Sequence, residues 1–171
     1  MRILAVCGSL KAESANRRLL SVAAASAPPG VTVVLSDALR ALPHFDPDLE
    51  AHGSHAAVAR WRQEVAGADA LLIASPEYAF SLPGVLKNGI DWLIGSGELE
   101  RKVIAITAAV PGPGRGRRGL QAIHDTLAAV SATIVGGEPI PVGPDFERDV
   151  RTLVRDLIEV AAARSTPERR L

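Results

Sequence analysis

Four polar side chains fall within the stretch Gly8 to Asn16: Ser9, Lys11, Ser14 and Asn16. Together they offer two hydroxyls, an ammonium and an amide, the donor set a phosphate ester needs. The stretch follows an apolar run, Ile3–Cys7, and precedes a helix-like segment. Backbone N–H groups at the start of that helix would point at the same anion, and the helix dipole would favour it. Ser14 and Asn16 read equally well as plain helix caps. After Gly8 come Ser9, Leu10, Lys11, Ala12 and Glu13, which is neither a G-x-G-x-x-G fingerprint nor a Walker A loop. That argues against a standard dinucleotide or ATP site.

A second segment, SPEYAFSLPGVLKNGIDWL from Ser75 to Leu93, repeats the logic of strand, polar turn and helix. Ala70–Ala74 before it reads as a fully buried strand. Pro76 stiffens the turn, and Tyr78 can supply an amphipathic wall. Pro83 suits the first turn of a helix. Two such loops at the carboxyl ends of neighbouring strands face one crevice, where open α/β sheets bind ligands.

Five βα units must position these loops. The strands are expected at Ile3–Cys7, Val31–Leu35, Ala68–Ala74, Lys102–Ala108 and Thr133–Val135, with Pro139–Val142 extending the sheet edge. Helices are expected from Ser14 or Asn16 to about Ala25, from a Ser54 cap to about Val65, from Pro83 to near Gly95 or Gly97, after the Pro111–Gly119 loop to about Val130, and over Phe146–Ala162. The stretch Ser36–Gly53, with Pro43 and Pro47, reads as irregular, and the tail from Ser165 as polar and frayed. In the helix after Pro83, apolar residues cover an arc of roughly 200°, against about 100° needed for one sheet. The excess points to a dimer interface, to a contact with the preceding helix, or to a deeply covered core helix. Alternating strands and helices make a parallel sheet covered on both faces, with five strands favouring the order 2-1-3-4-5.

Length and composition bound the rest. The chain has 171 residues, which suits a single domain spanning 1–171. Apolar residues make up 47%, and acidic and basic residues both total 19, so no global charge favours nucleic acid or a membrane surface. Cys7 is the only cysteine, which excludes an intrachain disulfide and a multi-cysteine metal site. No signal-peptide pattern or membrane-length apolar run is visible, and the expectation is a cytoplasmic protein. The four histidines show no metal-ligand spacing.

GSLKAESAN (Gly8–Asn16) and PEYAFSLPGVLKNGIDWL (Pro76–Leu93), in this order and about 60 residues apart, resemble the NADPH-dependent FMN reductase family. These are the flavodoxin-like quinone, chromate and azo-dye reductases. The resemblance covers roughly Arg2 to Ala162 and implies a flavodoxin-like three-layer sandwich. It implies FMN, with the phosphate on Ser9, Lys11, Ser14, Ala15 and Asn16. It puts the ring and ribityl against Pro76, Glu77, Tyr78, Ala79 and Phe80, and near Ala109 and Gly112. Glu77 is often structural in such proteins. Lys11 stands where the family usually has Arg, and Ala79 where it commonly has Asn. Only Thr107 supplies a hydroxyl after the fourth strand. Arg115 and Arg117, with Arg118, would meet the 2′-phosphate of NADPH or form a solvated loop. The implied activity passes hydride from NADPH or NADH through the flavin to a quinone, free flavin or other small acceptor, with no side-chain acid or base required. A flavodoxin-type electron carrier is the alternative. A homodimer or homotetramer is expected.

Overall fold

The computed structural model describes residues 1–53, 55–112 and 114–165. Five parallel strands, β1 (Arg2–Cys7), β2 (Thr32–Ser36), β3 (Ala70–Ala74), β4 (Val103–Val110) and β5 (Thr133–Pro141), form one sheet in the order β2-β1-β3-β4-β5. This is the expected flavodoxin-like order. The helices are α1 (Ala15–Ala25), α2 (Pro47–Ala51), α3 (Ala56–Ala66), α4 (Gly84–Ile94), α5 (Arg117–Ala128) and α6 (Phe146–Ser165).

Strand periodicity sorts the core into two layers. Leu4, Val6, Leu71, Ile73, Ile104 and Ile106 face α3, α4 and α5. The alternate residues Ile3, Ala5, Ala70, Leu72, Val103 and Ala105 face α1 and α6. The central strands β1, β3 and β4 are buried on both faces, which is why each reads as an unbroken apolar run.

The stretch Ser36–Gly53 departs from expectation. It forms a 3₁₀ turn, Ala38–Arg40, and the short helix α2. Asp46 caps α2 by accepting from the N–H groups of Asp48 and Leu49, with Pro47 at the first helical position. Pro47, which looks like a breaker, instead starts a helix, while Pro43 stays in irregular chain. Ser54, expected to cap α3, lies outside the described residues, as does the polar tail after 165. The cap of α3 is His55, whose ring nitrogen accepts from Ala57 N–H.

This stretch also accounts for the broad apolar arc of α4. Trp92 Nε1 and Asn88 Nδ2 both donate to the Pro43 carbonyl at 2.9 Å, and Phe45 N–H donates to Asn88 Oδ1 at 2.7 Å. The Phe45 ring meets Trp92 edge-on at 5.0 Å. Leu39 fills the space over Gly89 so closely that a Cβ there would lie 2.3 Å from its Cδ2. On the other side Trp61 of α3 donates to the Gly89 carbonyl at 2.8 Å. The second apolar contact is therefore intramolecular. The arc no longer argues for a dimer, and of its residues Ile94 is left exposed.

Asn88→Ala removes two hydrogen bonds that pin the 43–45 segment to α4. The expected loss is about 1–2 kcal/mol after about 0.5 kcal/mol of helix propensity is regained. Denaturant titration checks it: the midpoint should fall with the slope unchanged.

Candidate functional site

Strand order reverses between β1 and β3, so their outgoing loops diverge at the carboxyl edge of the sheet. The loops start almost in contact. Gly8 N–H donates to the Ala74 carbonyl at 2.9 Å, and a Cβ on Gly8 would lie 2.2 Å from Ser75 Oγ and 3.2 Å from Ser75 Cα. Only glycine fits there. Ser75 N–H in turn donates to the Thr107 carbonyl of β4 at 3.0 Å.

The first loop is built as the sequence predicts, with one reassignment. Ser14 caps α1 by accepting from Asn16 N–H. Ser9 is buried and accepts from Lys11 N–H at 3.2 Å. Lys11 and Ala15 are exposed. Asn16 is buried, and its Oδ1 accepts from the N–H of Ala109 at 2.8 Å. Its carbonyl end thus ties α1 to β4, and the amide nitrogen is left as its donor. The N–H groups of Leu10, Ala12, Glu13 and Ala15 have no acceptor among the described residues. Arg17, next on α1, bonds Asp37 at 2.5 Å. That hydrogen bond raises its pKa above the ordinary value, against the opposing effect of burial.

The second loop is a tight turn. Tyr78 and Ser81 exchange both backbone hydrogen bonds at 2.9 Å, and the two residues between them, Ala79 and Phe80, are left-handed at φ 49° and 63°. Positive φ at both central positions is the type I′ pattern, which favours Asn or Gly. An alanine and a phenylalanine there carry strain of roughly 1 kcal/mol each. Tyr78 and Phe80 are 54% and 68% exposed.

Glu77 leaves this loop to serve another element. Its Oε2 accepts from the N–H of Gly119 in the first turn of α5 at 2.9 Å, placing a carboxylate at the positive end of that helix. Gly119 is needed because a Cβ there would lie 3.0 Å from Glu77 Cα and Cβ.

In the third loop region β4 runs on to Val110, past a register shift opposite β5 between Ile106 and Ala108. Ala109 is therefore a buried strand residue. Gly112 lies just beyond the strand, half-buried. Thr107 is fully buried, and its hydroxyl donates to the Glu138 carbonyl at 2.9 Å. It is turned into the sheet and offers nothing to the crevice. The three arginines differ. Arg117 makes a two-point ion pair with Glu138 at 2.8 and 3.0 Å. Arg118 lies over the Phe80 ring. Arg115 is exposed and has no partner among the described residues. Sequence reasoning missed Ser75, Glu138 and Gly119. Their partners lie far along the chain, and no local pattern marks them.

The described residues contain no cluster of His, Cys, Asp and Glu able to hold a metal ion, and no helix long and apolar enough to cross a membrane. One hollow of about 240 Å³ lies between the carboxyl ends of α4 and α5, and another of the same size lies beside the β5 bulge, lined in part by Arg117 and Glu138.

The sequence profile of the family described as NADPH-dependent FMN reductase matches residues 1–144. An NAD(P)H-dependent FMN reductase of Pseudomonas aeruginosa is 40% identical over 119 residues, covering 70% of this chain and 63% of the relative. A 2-hydroxy-1,4-benzoquinone reductase of a Burkholderia species is 39% identical over 92 residues, 54% of this chain and 49% of the relative. The chain thus matches between about half and 63% of the length of these relatives. Among solved structures, a flavoenzyme NAD(P)H:(acceptor) oxidoreductase from Paracoccus denitrificans superposes with a TM-score of 0.83 at 22% identity, covering 95% of this chain and 97% of the other. That likeness is one of fold.

Two substitutions test the geometry. Ala79→Asn relieves the left-handed strain, and stability should rise by about 0.5–1 kcal/mol in denaturant titration. Gly8→Ala drives a methyl into Ser75, and a loss of about 2 kcal/mol or more is expected by the same measurement.

Proposed function

The chain belongs to the NADPH-dependent FMN reductase family, and on that premise we propose that it works as one flavin-binding domain reducing small acceptors with NAD(P)H. The observation that supports the reading is the set of N–H groups of Leu10, Ala12, Glu13 and Ala15, without an acceptor among the described residues, at the start of α1 beside Ser9, Ser14 and Lys11. Such a set suits a phosphate ester, and an uncharged ligand would leave it unanswered. When bound, FMN supplies the redox chemistry, accepting hydride from a nicotinamide and passing two electrons to an acceptor.

The chain's own residues bind and orient. Ser9 and Ser14 hydroxyls, Lys11, the N–H of Ala15 and the amide of Asn16 hold the phosphate. The Pro76–Phe80 turn walls the ring, and Glu77 fixes that turn against α5. Ala109 and Gly112 set the third side. Arg115, without a partner among the described residues, meets the 2′-phosphate of NADPH, and Arg117 reaches it only by leaving Glu138. No side chain of the site is assigned a proton to move. Relatives named as quinone reductases in Burkholderia and Solanum tuberosum support a quinone-like acceptor. The single cysteine suits a reducing cytoplasm, where the proposal places the protein. A homodimer or homotetramer is also part of the proposal, supported by the exposed Ile94.

Calorimetric titration of flavin-free protein should show FMN binding well above riboflavin. Lys11→Ala should weaken FMN by about five- to tenfold, most at low salt, and leave riboflavin nearly unchanged. Equal affinity for the two flavins would sink the phosphate assignment. In anaerobic stopped flow, NADPH or NADH should bleach the bound flavin, and Arg115→Ala should narrow the preference for NADPH. Bleaching no faster than free FMN with the same nicotinamide would leave a flavin carrier in place of an enzyme. Sedimentation at micromolar concentration tests the oligomeric state.

A further inference from the structure

Phe80 sits against two ordinary preferences at once. Its backbone is left-handed and its ring is 68% exposed. Neither apolar burial nor backbone preference places a phenylalanine there. Arg118 covers the ring, its guanidinium carbon 4.6 Å from the centroid. Arg118 is itself badly placed for helix stability, in the first turn of α5, which has no acidic residue of its own and draws its one carboxylate from Glu77, held on Gly119 N–H. Neighbouring Arg117 is neutralised by Glu138, whereas Arg118 has no carboxylate partner among the described residues.

A second stacked pair gives the contrast. Arg18 lies over Phe146 at 5.4 Å, but that ring is 2% exposed and belongs to the core, so packing explains it. Phe80 and Arg118 bury no such ring. Two local preferences are broken at one point, where the second and third loops meet at the crevice. Breaches of this kind collect at functional sites.

We propose that Phe80 and Arg118 form the platform for the electron acceptor and select planar aromatic acceptors that carry negative charge. The inference rests on the reductase reading above. A guanidinium is planar and weakly hydrated. It can stack on an aromatic face while its N–H edge bonds an oxyanion. With one face on Phe80, Arg118 keeps its edge for a sulfonate, carboxylate or phenolate on the acceptor. An uncharged quinone gains only the stacking. The unpartnered Arg115 is left for the nicotinamide phosphate, so the two anions need not share one cation.

Two measurements test this on the FMN-loaded protein. The first is equilibrium binding of naphthalene-2-sulfonate and of 2-naphthalenemethanol, neither of which accepts electrons. The sulfonate should bind more tightly. Arg118→Gln should weaken it by roughly five- to tenfold, Arg118→Lys should restore part of the loss, and Phe80→Leu should weaken both compounds. Arg151→Gln on α6, whose arginine pairs with Glu147, should change neither. The second is the ratio of kcat/KM for 1,4-naphthoquinone-2-sulfonate to that for 1,4-naphthoquinone. Arg118→Gln should lower this ratio by a similar factor, and added salt should lower it in the wild type. If binding and ratio both survive Arg118→Gln, the proposal is overturned. It is also overturned if that variant slows flavin bleaching by NADPH while sulfonate binding stays intact, because Arg118 then serves the reductant. If sulfonate binding depends on Arg118 but neither nicotinamide bleaches the flavin, the reductase reading has failed and the acceptor role goes with it.

Discussion

The contact between Gly8 and Ser75 sets the geometry on which the site depends. The two loops that leave β1 and β3 must diverge, yet they start from adjacent strands. The absent Cβ of Gly8 lets the chains pass, since any side chain there would collide with Ser75 at 2.2 Å. From that crossing the ties spread outward. Ser75 N–H bonds the Thr107 carbonyl, Asn16 bonds Ala109, and Glu77 bonds Gly119. Each bond joins elements of different βα units. The three loops around the crevice are thus fixed to one another by buried or half-buried hydrogen bonds, and a binding site built this way is formed before a ligand arrives.

The same ties explain which parts of the structure were legible in the sequence. The alternation of strands and helices, the two-sided core and the ends of α1 and α4 follow from periodicity and capping, and these are local signals, whereas the strand order follows from the number of βα units and not from periodicity. β5 was legible only in halves. Gly136, Gly137 and Pro139 look like punctuation, but Gly137 and Glu138 bulge opposite Thr107, with φ 76° at Gly136 and 99° at Gly137, and the strand continues to Pro141 at the sheet edge. The polar residues were harder still. Asn16 reads as a phosphate ligand or a cap, and nothing near it in sequence reveals a partner 93 residues away. Glu77 and Gly119 are separated by 42 residues. The residue types point to the chemistry of a side chain, and the tertiary fold decides which of its atoms are already engaged.

The excess arc on α4 shows how one pattern can admit two physical answers. A helix apolar beyond its sheet-facing stripe needs cover, and a second subunit is one source. Here the cover is the chain's own 38–45 stretch, clamped by Asn88 and Trp92 to the Pro43 carbonyl. That stretch carries Pro43 and has no helical or strand periodicity, so the sequence hides the partner as well as the need. Arg62 completes the arrangement. It donates to the Trp92 carbonyl at 2.9 and 3.1 Å, where α4 ends, and pairs with Glu50 of α2 at 2.5 Å. A cation at a helix carboxyl end is favourable, and this one also anchors the short helix that follows the stretch.

The distribution of polar groups around the crevice bears on how firmly a flavin would be held. Ala79 supplies no side-chain amide, and Thr107 spends its hydroxyl on Glu138. Two missing hydrogen bonds at roughly 0.5–1.5 kcal/mol each amount to about 1–3 kcal/mol, or roughly 5- to 150-fold in affinity. The proposed phosphate loop keeps the N–H groups of Leu10, Ala12, Glu13 and Ala15, three side-chain donors and the Asn16 amide nitrogen without acceptors among the described residues. Affinity is therefore concentrated at the phosphate end and thinned at the ring end. A flavin held so would be anchored by charge, its ring lying against a strained and exposed turn. In such a site ring contacts are replaceable, and a planar acceptor or nicotinamide can compete for Tyr78 and Phe80 without displacing the anchor. On the proposed binding mode, the left-handed Ala79 and Phe80 sit at the one turn that presents two exposed aromatic rings, the kind of place where backbone strain collects.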